Sequence, residues 1–285
     1  MSHNAVMTTA PPAFPISPGD PLLVADVGNS RIKLGVVVRP GDRSSLPAIE
    51  QRHDLASRSF RPEALEDWLR AVAPGPAAIL VASVHDAAAS RLEAAIAAVS
   101  ASRHRPVRQR RIRYHDMPLA ISLPEPHRVG IDRLAAAAAA AVLKPPGRPA
   151  IVVDCGTAAT VDMVSAAGAF LGGAILPGPA LMARALAEGT SRLPEVAALE
   201  QGGVPALPGR STQEAIAAGV GWGMRGAISR VVEEARRSLG DAAEPQLILT
   251  GGWRAAVRES LPNAEEVPDL VLQGVALAAG LLIAR

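Results

Sequence analysis

The sequence predicts an α/β protein built from two related halves with a cleft between them. Three observations carry that expectation. Apolar runs of strand length alternate with helical periodicities along most of the 285 residues. One local device, strand then acidic tip then small-residue turn then returning strand, occurs twice. The two copies place Asp26 and Asp154 128 residues apart (154 − 26), a spacing far longer than that of a solenoid repeat.

The first copy opens the structured chain. Leu22 to Ala25 is apolar and leads to Asp26, Val27-Gly28-Asn29-Ser30 turns, and Ile32 to Val38 returns. Gly41 to Ser45 is a second turn and Ala48 to Leu55 a third strand. Pro62 to Val72 has helical spacing, with Leu65, Trp68 and Leu69 on one face and Ser59 as a candidate cap. Ala78 to Val84 reads as a buried strand, and Ala87 to Val99 as a helix with Leu92, Ile96 and Val99 inward. Arg103, Arg105, Arg108, Arg110, Arg111 and Arg113 form the one basic cluster. It reads as an edge strand protected by charge, the alternative being an anion-attracting patch. Val129 to Lys144 is a helix opening at Gly130 and Asp132.

Lys144-Pro-Pro-Gly-Arg-Pro149 breaks the pattern. We place a domain boundary there, giving domains 21–146 and 147–285 after a disordered tail, 1–20. The second half repeats the device: Ile151 to Val153, Asp154, Cys155-Gly156-Thr157, then Thr160 to Val164. Ala169 to Leu176 is a further strand, Pro177-Gly178-Pro179 turns, and Ala180 to Ala187 is a helix. Gly189 to Arg210 is a loop of the length used for lids and binding segments. Ser211 or Thr212 caps a long helix reaching Leu239, with Glu214 near its third position. Gln246 to Thr250 is a strand ending in Gly251-Gly252, which is followed by a helix, and Val271 to Ala284 is a final apolar helix.

Composition excludes several classes. Hydrophobic residues make up 49% and charged residues 20%, enough for a core and against disorder. Aromatics are only 2%, so stacking on nucleic-acid bases lacks its platforms, and a net charge of +2 does not imply a polyanion partner. One cysteine excludes an internal disulfide framework and a cysteine-based zinc site, and it fits a cytoplasmic location. No apolar run approaches the ~20 residues of a membrane span.

Asp26, Asp154 and Asp162 are the first candidates for chemistry. Mg²⁺ takes one or two carboxylates with waters and phosphate oxygens, and an acid at a strand end beside a glycine turn suits it. A lone Asp at a turn serves local N–H groups; two copies of one device favour function. Gly28-Asn29, Gly156-Thr157 and Gly251-Gly252 let backbone amides approach a phosphate. G-x-x-x-x-G-K-[ST] is absent, and no G-x-G-x-x-G follows a strand. Lys33 either faces solvent or reaches a transferred phosphate as a point charge. Asp132 either complements the dipole of its helix or takes a proton from a substrate hydroxyl, with Arg133 gripping a carboxylate. Cys155, His85 and His127 lack the neighbours of a thiol nucleophile or a metal site.

Taken together, these blocks resemble type III pantothenate kinases of the acetate and sugar kinase, Hsp70 and actin superfamily. The matching stretches are DVGNSRIKLGVV from Asp26, VGIDRLAAAAAA from Val129, DCGTAATVDMV from Asp154, GGAILPG from Gly172, TSRLPEV from Thr190, GRSTQEAIAAG from Gly209, and TGG from Thr250. The resemblance implies two RNase H-like, actin-like ATPase domains with a nucleotide cleft between them, and a homodimer formed through helices of the C-terminal half. It implies transfer of phosphate from ATP to pantothenate, with Mg²⁺ and a monovalent cation, K⁺ or NH₄⁺, and no nucleic-acid or membrane partner. It implies Asp132 as the general base, with Gly130, Arg133 and Thr212 at the substrate, Arg133 on its carboxylate and Thr212 supplied across the dimer. Asp26 is expected at the Mg²⁺–phosphate site and Asp154 at the monovalent cation. Gly28, Asn29, Lys33, Gly156, Thr157, Gly251 and Gly252 are expected along the nucleotide.

One block departs from the family pattern. Many members carry an aromatic residue shortly before the GxDR block, where this chain reads Leu123-Pro-Glu-Pro-His-Arg128. Glu125 facing an acidic substrate is unfavourable. Two other readings are a non-catalytic relative acting as a transcriptional accessory factor, and a sugar or acetate kinase of the same superfamily.

Overall fold

A computed structural model describes residues 19–39, 45–102, 106–197, 206–240 and 243–280. Most of the N-terminal tail, the turn after residue 40, Arg103 and Arg105, part of the 189–210 loop and residues 281–285 lie outside the described residues.

The chain packs as two compact units. Unit 1 takes the chain up to Leu143, Gly168–Phe170, and the chain from Asp269 onward. Unit 2 is Lys144–Ala167 and Leu171–Pro268.

Unit 1 contains β1 (Leu22–Val27), β2 (Arg31–Val38), β3 (Ala48–Ala56), α1 (Pro62–Val72), β4 (Ala77–Ser83), α2 (Asp86–Ser102), β5 (Val107–Arg111) and α3 (Ile131–Leu143). The sheet order is β3-β2-β1-β4-β5, with β1 antiparallel to β2 and parallel to β4. All six residues of β1 are buried, as a central strand covered on both faces requires. Strand alternation sends Leu23, Ala25, Ile32, Leu34, Ile79 and Val81 into one core with α1 and α2. The alternate residues Leu22, Val24, Ala78 and Leu80, equally buried, face the other side. That side is covered by α3 and the final helix of the chain, α6 (Leu270–Leu277), which packs on α3 and on β1, β2 and β4. The alanine run Ala135–Ala140 lets these two helices approach closely. A Cβ on Gly274 would stand 1.9 Å from the Ala135 carbonyl oxygen.

Unit 2 contains β6 (Ala150–Cys155), β7 (Ala158–Val164), β8 (Phe170–Pro177), α4 (Pro179–Gly189), α5 (Thr212–Leu239), β9 (Gln246–Gly251) and the short β10 (Glu265–Glu266). Its sheet order is β10-β9-β6-β7-β8, with β6 antiparallel to β7 and parallel to β9. Numbered within each unit, both sheets run 3-2-1-4-5. Ile151, Val153, Leu247 and Leu249 pack against Met224, Ile228 and Val232 of α5. Helix α5 starts as its sequence predicts: Ser211 Oγ accepts from the Glu214 N–H at 3.1 Å, and Glu214 Oε2 accepts from the Arg210 N–H at 2.7 Å.

Three details differ from the sequence reading. The final helix, placed with the second half, belongs by packing to unit 1, because its apolar face completes the first sheet. Ser59 does not cap α1; Arg61 holds the cap position with Pro62 entering the first turn, and the Ser59 N–H is spent on the Ala56 carbonyl. No α-helix follows Gly251-Gly252; two 3₁₀ turns, Arg254–Ala256 and Arg258–Ser260, stand there.

Candidate active site

Within unit 1 the structure gathers three of the predicted residues. Asp26 is the fifth residue of β1 and pairs in register with Lys33 of β2. That pairing puts Lys33 on the Asp26 side of the sheet, with its Nζ 3.7 Å from Asp26 Oδ2. Asp132, in the first turn of α3, is the third member: its charge raises the Asp26 pKa, and Lys33 lowers that of Asp132. Burial pushes the Asp26 carboxyl up to about 6 from 3.8, the Lys33 ammonium pulls it down, and Asp132 and Asp54 push it up. Asp132 is also raised, again chiefly by burial, against the Arg133 N–H that donates to its Oδ1 at 2.8 Å. A carboxylate held above its ordinary range is a better proton acceptor near neutral pH.

Gly130 and Arg133 frame that acid. A Cβ at Gly130 would lie 2.5 Å from Asp132 Oδ1, so the missing side chain is what lets the carboxylate stand where it does. The Arg133 guanidinium lies 5.6 Å from the centre of the Phe170 ring, a cation–π contact that steadies its planar fork. Phe170 is held in unit 1 by a backbone bridge to Ile121. Gly28 opens the tip turn, its N–H donating to the Arg31 carbonyl at 2.9 Å, and Asn29 is exposed at the apex.

Unit 2 assembles the second tip. Asp154 is the fifth residue of β6, as Asp26 is of β1, and it registers with Thr160 of β7 and Thr250 of β9. Its Oδ1 is buried, 3.8 Å from where a Gly156 Cβ would be. The Gly156-Thr157 turn is packed by backbone: the Gly178 N–H donates to the Thr157 carbonyl at 3.1 Å, and a Cβ on Gly178 would stand 2.4 Å from that oxygen. Gly251 has φ +94° and sits on the Cys155 backbone, where a Cβ would come within 2.4 Å. Gly252 is exposed. The fully buried Cys155 thiol is pushed upward by burial and by Asp154, against a nucleophilic role. Asp162 is buried in β7, and a Cβ on Gly173 would come within 2.7 Å of its Oδ1. Thr212 is exposed at the first position of α5.

The remaining candidates find local partners. Glu125, the residue that looked adverse to an acidic substrate, pairs with Arg128 at 3.1 Å within its own turn. His85 Nδ1 accepts the Ala88 N–H at the start of α2. On the edge strand β5, Arg108 pairs with Asp20, Arg110 with Asp116, and Arg111 with Glu93 and Asp86. Ser57, Phe170 and Trp253 escaped the sequence reading. Each acts on a segment far away in the chain and carries no local motif.

A family model described as type III pantothenate kinase matches residues 22–234. A type III pantothenate kinase of Rhodopirellula baltica is 36% identical over 271 residues, covering 88% of this chain and 95% of its own. One from Alkalilimnicola ehrlichii is 36% identical over 260 residues, covering 90% of this chain and 97% of its own. Among solved structures, a Campylobacter jejuni protein carried under the name Baf family transcriptional activator aligns with a TM-score of 0.52 at 19% identity, over 90% of this chain and 96% of that one. That likeness shows the fold alone. Two 3-2-1-4-5 sheets, each with an acid near the end of its first strand, define a duplicated, RNase H-like α/β fold. Within it, this chain belongs to the type III pantothenate kinase family.

Proposed function

We propose that this chain phosphorylates pantothenate at the expense of ATP, the first step of coenzyme A synthesis. The observation that carries the reading is the group formed by buried Asp26 with half-buried Lys33 and Asp132, in a chain of this family. Phosphoryl transfer needs positioning and charge neutralisation more than covalent chemistry. Asp132 accepts the proton of the attacking hydroxyl, and Gly130 leaves room for its carboxylate. Arg133, braced on Phe170, grips the substrate carboxylate with a bidentate fork. Lys33 offsets charge on the transferred phosphate. Gly28 and Asn29 in unit 1, and Gly156, Thr157, Gly251 and Gly252 in unit 2, form turns whose backbone amides can meet phosphate oxygens. Thr212 meets the substrate of a partner subunit.

Asp26 fits Mg²⁺ in its chemistry. It is a hard oxygen donor whose buried carboxyl is held at about 6 until a cation favours its ionised form. Among the described residues no group of three His, Cys, Asp or Glu side chains is arranged to hold a metal alone. When bound, Mg²⁺ would neutralise the phosphates. Asp154 offers a buried carboxylate oxygen to K⁺ or NH₄⁺. The protein works as a homodimer in the cytoplasm, without nucleic acid or membrane. In support of the dimer, Ile175, Leu181, Leu186 and Trp222 are exposed on β8, α4 and α5. No helix among the described residues is long and apolar enough to cross a membrane.

A regulatory role without catalysis is not favoured. Asp26, Asp132, Arg133 and Asp154 are all present, and the described arginines of β5 are engaged by acids. The test is a coupled assay of ADP release with pantothenate, with and without K⁺. Asp132→Asn should lower kcat by ~10²- to 10⁴-fold, the range of general-base catalysis, with the fold intact by circular dichroism. Pantothenate-independent ADP release, or full turnover by the variant, would remove the assignment.

A further inference from the structure

Both tip turns share a feature that no motif marks. In unit 1 the buried Ser57 hydroxyl donates to the Gly28 carbonyl at 2.7 Å. In unit 2 the buried Trp253 indole N–H donates to the Gly156 carbonyl at 2.6 Å. Gly28 and Gly156 are equivalent positions, each two residues after the acid of its strand. The donors are unrelated in type and in origin: Ser57 follows β3, whereas Trp253 follows β9. Each is itself anchored. The Ser57 N–H donates to the Ser30 carbonyl and its own carbonyl accepts from Arg91 Nη2 of α2. The Trp253 N–H donates to the Cys155 carbonyl at 3.3 Å.

A trans peptide is planar, with its C=O and N–H directed oppositely. Fixing the Gly28 carbonyl against Ser57 therefore sets the direction of the Asn29 N–H, and fixing the Gly156 carbonyl against Trp253 sets that of the Thr157 N–H. Rotation of either peptide would reverse its amide and present a carbonyl oxygen, which repels phosphate. We propose that Ser57 and Trp253 are positioning residues, each locking the tip turn of its own unit so that the amide that follows, of Asn29 in unit 1 and of Thr157 in unit 2, is held to donate to a phosphate oxygen. The inference rests on the reading of these turns as nucleotide-binding.

The experiment uses the full chain. Binding of a non-hydrolysable ATP analogue with Mg²⁺ is measured by calorimetry, beside steady-state kinetics, for wild type, Ser57→Ala, Ser57→Thr and Trp253→Phe. Loss of one oriented hydrogen bond predicts about tenfold weaker analogue binding for Ser57→Ala and Trp253→Phe. The KM for ATP should rise in step, the KM for pantothenate should hold within about twofold, and Ser57→Thr, which keeps the hydroxyl, should bind like wild type. If Trp253→Phe fails to fold, the two Ser57 variants decide the matter. Wild-type binding matched by Ser57→Ala, or a fall in kcat with unchanged analogue affinity, overturns the positioning role alone. Failure of the wild-type chain to bind the analogue overturns the nucleotide reading beneath it.

Discussion

Asp26 is ionised at a cost. Its carboxyl sits at about 6 in the folded chain against an ordinary 3.8, chiefly because it is buried. The folded state therefore holds its proton more tightly than the unfolded state. Stability from this group is fully present below pH 3.8 and is lost as pH rises through 6. The difference amounts to about 3 kcal/mol at most. Asp26→Asn should accordingly raise Tm at pH 8 and leave it little changed at pH 3.5, while activity falls. A thermal melt at the two pH values checks both signs. Gly130→Ala acts on the neighbouring acid. The added carbon would stand 2.5 Å from the Asp132 oxygen, a movable side-chain end, so the carboxylate shifts and the backbone does not. Turnover should drop by about tenfold or more, as when a reacting group is misplaced by a fraction of an ångström, with Tm within about 2 °C of wild type. At this scale Asp26 and Asp154 were legible in the sequence because each ends an apolar run before a glycine turn. Ser57 and Trp253 were not, because they reach across 29 and 97 residues to their targets.

The contact between α3 and α6 is set by what is absent from their side chains. Gly274 and the alanine run from Ala135 let the two backbones nearly touch. Alanine normally stabilises a helix interior by ~1 kcal/mol over glycine. At Gly274 the new carbon would meet the Ala135 backbone at 1.9 Å, which cannot yield as a side-chain end can. Overpacking of ~1–3 kcal/mol or more then outweighs propensity. Gly274→Ala should lower the midpoint of urea unfolding, and an unchanged or raised midpoint would contradict this packing. Strands and helices were legible from periodicity, since β1, β4 and β6 are near-continuous apolar runs. The partner of α6 was not, because an apolar helix does not state which sheet it covers. The helix expected after Gly251-Gly252 failed for a related reason: Trp253 and Val257 are drawn into the core beside β9, and the chain tightens into 3₁₀ turns.

At the level of the whole molecule the duplication was legible from two acids and their turns, and the shared 3-2-1-4-5 order bears it out. The proposed assembly belongs here too. Sedimentation equilibrium should return twice the 29.3 kDa chain mass, and Leu181→Glu should shift it toward one chain. A monomeric wild type would remove both the dimer and the shared role of Thr212. Unit 1 is discontinuous, because it recruits the stretch from Asp269 after the chain has left it to build unit 2. On the ribosome the first sheet therefore emerges with Leu22, Val24 and Leu80 still lacking the cover of α6. A nascent chain stalled before residue 270 would carry that face covered by α3 alone, its remainder open to chaperones and proteases. Unit 1 is thus not finished until the whole of unit 2 has been translated.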